Sequence, residues 1–184
     1  MRFTKQASWV GLAAVALLFA VAPVASAQLN SNQATVNLNA VMSESLSVSA
    51  APGTVNFTLA ASGVAPGSAP VVINTAWVLS PARTKVSVYA FLGSAAAALT
   101  DGAGNNIASS KVSGSVNAGP MTTFTGVSPF SANASITVVN ALAITNANRN
   151  SNRSDSVALQ IDTTGLGLPS GTYTGVMTVQ AQAI

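Results

Sequence analysis

Between Ala34 and Ala50 the apolar residues fall on alternate positions, and this period of two limits the fold more than any other feature of the chain. Ala34, Val36, Leu38, Ala40 and Met42, then Leu46, Val48 and Ala50, sit on even numbers with Thr, Asn and Ser mostly between them. Side chains two apart share one face of a β-strand, so such a stretch buries one face and wets the other. Glu44 interrupts the apolar series, which predicts two short strands, or one strand with a bulge or sheet switch, around residues 43–45. Pro52-Gly53 then turns the chain.

The same period continues downstream. Val55, Phe57 and Leu59 alternate before a Gly/Pro/Ser-rich link at 62–70, and Val71, Ile73, Trp77 and Leu79 share a phase before a turn at Ser80-Pro81. An apolar strand is expected over 85–92, including Val86, Val88, Tyr89 and Phe91. Residues 93–106 read as a loop with Asp101-Gly102 as its turn, and the Ala95–Ala98 run is too short for a stable helix. Weaker strands are expected at 107–116 and 121–125. Ile136, Val138, Leu142 and Ile144 alternate around the exception Asn140, and a polar loop is expected at 146–154. Val157, Leu159 and Ile161 follow, then a turn-rich corner at 165–171 and a last strand holding Tyr173, Met177 and Val179. Eight or nine short strands with no amphipathic helix predict an all-β protein, an antiparallel two-sheet β-sandwich.

Residues 1–27 read as an export leader. Arg2 and Lys5 give a positive start, 7–22 is uncharged and apolar, Pro23 breaks it, and Ala25-Ser26-Ala27 fits a small-x-small cleavage site. A membrane-crossing helix needs roughly 20 apolar residues, so cleavage, not anchoring, is expected. Residues 28–184 then form a single domain with no transmembrane span, located outside the cytoplasm: secreted, at the cell surface, or in a periplasm. Of seven basic residues Arg2 and Lys5 belong to the leader, which leaves five against four acidic. Such a balance, without a cluster of Lys and Arg, argues against nucleic acid as a partner. There is no cysteine, so the fold rests on its core.

Catalytic groups are scarce. The chain has no histidine, and its carboxylates are Glu44, Asp101, Asp155 and Asp162. General acid–base catalysis, nucleophiles and metal sites draw on the residue types this chain lacks or scatters, so no catalytic, metal or cofactor site is assigned and no cofactor is expected. The 101–106 loop lacks the spaced oxygen ligands of a Ca²⁺ loop. Arg149, Arg153 and Asp155, in the polar stretch, are the candidate residues for gripping an anion or sugar. Trp77, Tyr89, Phe91 and Tyr173 offer rings for sugar stacking, but the phase of Trp77 assigns it to the core.

Ser170-Gly171-Thr172-Tyr173-Thr174-Gly175 resembles the entry to the last strand of secreted bacterial Ig-like domains, fimbrial subunits among them. That resemblance implies that the β-sandwich is Ig-like and that its role is adhesion, filament building or surface coating. Trp77-Val78-Leu79 and the 171–181 segment resemble the WxL cell-wall-binding domains, although Val179-Gln180-Ala181 stands where a second Trp-x-Leu is expected. The alternating N-terminal segment also resembles that of chaperone–usher pilins, which implies donor-strand knobs at Val36, Leu38, Ala40 and Met42 within 32–42. The usual pilin cysteines are absent here, and the strand count favours instead a self-complete sandwich in which 32–42 is a core strand. The function expected is a non-enzymatic surface or extracellular structural protein, fimbria-like or adhesive, with self-association or a cell-surface glycan as partner. The alternative is a cell-wall or glycan-binding module, and a hydrolase comes third.

Overall fold

The computed structural model describes residues 29–184; the leader assigned to 1–27 lies outside them. The described chain holds β1 (Ser45–Ala51), β2 (Val64–Pro66), β3 (Val71–Val78), β4 (Lys85–Leu92), β5 (Leu99–Thr100), β6 (Asn106–Ile107), β7 (Val112–Val116), β8 (Met121–Thr123), β9 (Gly126–Ser128), β10 (Ser131–Ala143), β11 (Asn150–Asp162) and β12 (Met177–Ala183). One 3-10 turn at Ser109–Lys111 is the helical element among the described residues.

All pairings between these strands are antiparallel. The first sheet runs β1-β3-β11-β7-β8, with β2 beside the end of β11, and the second runs β12-β4-β10-β9. Their inner faces share one core. Ile73, Trp77 and Val157 come from the first sheet and Val86, Val88 and Ile136 from the second. Gly114 marks how closely the faces approach, since a Cβ there would stand 2.6 Å from Ile136 Cδ1.

β3 follows the sequence pattern, and β4 forms over the expected residues with Tyr89 and Phe91 on its outer face. On β3, Val71, Ile73, Thr75 and Trp77 are buried between exposed neighbours, and on β4 Val86, Val88, Ala90 and Leu92 point inward. Trp77 is 3% exposed and its Nε1 donates to the Asn148 carbonyl at 2.8 Å, which confirms it as core.

The N-terminal segment departs from expectation. No strand forms over 34–44, and Val36, Leu38 and Met42 are 81%, 93% and 80% exposed. The expected core strand at 32–42 is therefore corrected: only the second half of the alternating stretch becomes β1, where Leu46 and Val48 are half-buried. Alternation shows that one face seeks burial; it does not say which chain supplies the partner.

Three smaller corrections share that logic. Val55, Phe57 and Leu59 are half-buried as their phase requires, yet they form no strand beyond a bridge from Phe57 to Gly67. The expected polar loop at 146–154 ends early, because β11 begins at Asn150 and pairs with β3 from Asn150 to Val157. β10 carries register shifts, and Ala141 sits at φ 46°, so its phase slips and Val138 and Val139 are both buried.

Candidate functional site

The chemically distinctive place in the fold is an open side of the core. β1 is the last strand of the first sheet and β12 the last of the second, and the far edge of each pairs with no other strand among the described residues. Between them runs an apolar groove of about 460 Å³ with Val48, Val71 and Leu159 on one side and Leu92, Met177 and Val179 on the other. It continues past Val55, Phe57 and Leu99 into a second trough of about 740 Å³ that ends against residues 168–175. Inward-facing residues along this side, among them Leu46, Val48, Met177 and Val179, are only half-buried, whereas those at mid-sheet are fully so.

Local sequence builds both rims. Ser45–Ala51 and Met177–Ala183 are uncharged and contain no proline. Exposed edges are commonly blunted by lysine, proline or a bulge, and neither of these strands carries such a guard. Beyond β12 the rim is fixed by Tyr173, whose hydroxyl donates to the Pro169 carbonyl at 3.0 Å, and by a two-way backbone bridge between Thr174 and Thr100. Gly175 permits that bridge, since a Cβ there would overlap the Ala98 carbonyl oxygen. Burial, and then the negative charge of Asp101, push the Tyr173 phenol up from its ordinary pKa.

Arg149, Arg153 and Asp155 do not form one site. Arg149 Nη1 donates to the carbonyls of Ser80 (2.7 Å) and Arg83 (3.2 Å), and its Nε to Asn146 Oδ1. The turn it holds is gripped from the other side by Glu44, which accepts from Ser80 N at 2.7 Å and lies 3.5 Å from Arg83 Nε. The Ser80 backbone hydrogen bond, more than Arg83, lowers the Glu44 pKa.

Arg153 and Asp155 sit two apart on β11 and face each other. Arg153 Nε donates to Asp155 Oδ2 at 2.6 Å, and Asn117 Nδ2 donates to Oδ1 at 2.8 Å. Burial alone raises the Asp155 pKa, but the hydrogen bonds from Arg153 and Asn117 and the Arg153 charge outweigh it, so the carboxyl titrates below its usual range. Asp155 thus ties Arg153 and Asn117 together, with the Arg153 side chain still partly open to solvent.

Val36, Leu38 and Met42 are fully available, and Ala40 is exposed with them. Asp101 accepts from the backbone of Ala103 and Asn105 and from Asn105 Nδ2, a closed turn and not a cation loop. Among the described residues no three of His, Cys, Asp or Glu come together, and no helix is long and apolar enough to cross a membrane.

The sequence reading missed Phe130, Asn117 and the groove. Phe130 was detectable as a lone aromatic between Pro129 and Ser131 in a polar turn, and Asn117 in an Asn-Ala-Gly turn. The groove has no local signal, because its walls come from strands distant in sequence. No protein-family profile, curated protein or solved structure matches the chain.

Proposed function

We propose that the protein is an exported, non-enzymatic structural subunit with an Ig-like sandwich left open along one side, and that copies join when residues 34–42 of one enter the groove between β1 and β12 of the next. The observation that carries this reading is the coexistence, on one chain, of an apolar groove between two unguarded strand edges and an exposed segment with the matching period. An extended segment added there gains main-chain hydrogen bonds from an edge and fills the groove with alternate side chains. Val36, Leu38, Ala40 and Met42 are those side chains, and 29–43 carries no charge that burial would penalise. Such a contact is head to tail. Each copy that donates its segment still presents its own groove, so the association extends into a fibre wherever the rotation between copies does not close a ring. The nearly balanced charge of residues 28–184 lets copies approach without strong repulsion.

Negative-stain electron microscopy of the exported protein tests this. Filaments are expected, and Leu38→Asp, which buries a carboxylate in the groove, should abolish them while the monomer stays folded. Filaments that persist in Leu38→Asp, or a wild-type protein that stays monomeric at high concentration, refute the reading.

A further inference from the structure

The outer face of the second sheet carries a feature that strand donation does not use. On β4, Val86, Val88, Ala90 and Leu92 point into the core, so Ser87, Tyr89 and Phe91 point away from it. Tyr89 and Phe91 remain half-buried because Phe130, from the β9–β10 turn, covers them. Its ring lies 6.0 Å from Tyr89 at 71° and 6.1 Å from Phe91 at 26°. Thr137 on β10 and Gln180 on β12 are the register partners of Tyr89, and Thr178 that of Phe91; all three are exposed. The charged residue on these three strands is Lys85, at the start of β4 and away from the rings.

We propose that this face, formed by Tyr89, Phe91 and Phe130 with Gln180, Thr178 and Thr137 around them, binds a neutral polysaccharide. Two observations select that occupant. β4 is paired on both edges, by β12 and β10, so no peptide strand can add main-chain hydrogen bonds there, and recognition must come from side chains alone. Those side chains are aromatic rings beside an amide and hydroxyls with no charge among them. The combination matches a sugar ring, which has an apolar C–H face for stacking and a rim of hydroxyls that amides and hydroxyls hydrogen-bond. An anionic glycan or a nucleic acid would find no cation to pair with on this patch.

Retention on insoluble cellulose, chitin and starch tests the proposal, using the protein with a matched control lacking polysaccharide. Retention on at least one of the three, unchanged by high salt, is expected. Tyr89→Ala should weaken it about tenfold, the loss of roughly one good stacking contact. Gln180 is exposed, so Gln180→Ala keeps the fold and decides the matter should Tyr89→Ala fold poorly; it too should weaken retention. No retention on any of the three, retention equal to wild type in Gln180→Ala, or retention abolished by salt overturns the proposal. So does a change in sedimentation of Gln180→Ala without polysaccharide, which would mean that another copy covers this face. Leu38→Asp should bind polysaccharide as the wild type does, which separates this result from failure of the fibre reading.

Discussion

Deleting residues 29–42 discriminates sharply between a core strand and a free segment. In a self-complete sandwich the deletion would strip Val36, Leu38 and Met42 from the core at roughly 1.5–3 kcal/mol each, some 5–9 kcal/mol in all. That is most of a net stability of about 5–15 kcal/mol, and the truncated chain would unfold. The three side chains are instead 81%, 93% and 80% exposed, so the isolated subunit loses almost nothing. The expected change is within about 0.5 kcal/mol, as for surface substitutions generally. Urea denaturation followed by far-UV circular dichroism should give the same midpoint for the truncated protein and the Leu38→Asp monomer. The wild-type protein should unfold at higher denaturant, because the proposed assembly would bury the same side chains in a neighbour. A synthetic 32–43 peptide added to the truncated protein should move its midpoint upward in proportion to the logarithm of peptide concentration. A truncated protein that fails to fold refutes the argument from exposure, and one that folds but ignores the peptide refutes the groove as the segment's destination.

Other expectations follow from buried groups. Trp77→Ala should cost about 3–5 kcal/mol in urea denaturation, the range for truncating a buried aromatic, and Trp77→Phe less, since it keeps most of the apolar contact and loses the bond to Asn148. Asp155→Ala should cost about 3 kcal/mol, because Arg153 and Asn117 lose their shared acceptor, with Arg153 softened by its partial access to water. Since folding lowers the Asp155 pKa, its contribution is complete above about pH 4 and disappears as pH falls through the folded value; an acid-unfolding curve should flatten there in Asp155→Asn. Gly114→Ala should cost about 1–3 kcal/mol by melting temperature, the penalty for overpacking against Ile136 and Val157.

How far the sequence could be read depended on where each strand found its partner. β3 was legible at nearly every inward position, because its own chain covers the face that the apolar pattern marks, whereas for β4 the sequence showed the strand but not its phase, since Tyr89 and Phe91 are as apolar as the inward Ala90 and Leu92. Tyr173, expected in the last strand, lies before it, because its hydroxyl is held by the Pro169 carbonyl and β12 begins only at Met177. The polar run Asn150–Ser154 was not legible as strand, because its strand character comes from the ladder with β3 and not from its own composition. The pairing of Arg153 with Asp155 was hidden for the same reason: the polar run showed their charges but not that two residues on one strand would face each other. Val36 to Met42 carried as clear an alternation as β3, and among the described residues it is the alternating segment left exposed.

The unequal treatment of the sheet edges argues that this bareness is a feature of the design. At the opposite side the terminal strands are β8 and β9, three residues each, too short to template another chain. At the open side β1 and β12 are seven residues each, uncharged, and separated by an apolar groove. A fold that shortens two edges and leaves two long ones unprotected confines pairing to one place. The complementary segment lies immediately before β1 in the chain, so every copy carries donor and acceptor in equal number. In the assembly proposed above, the stoichiometry would therefore be one segment per groove.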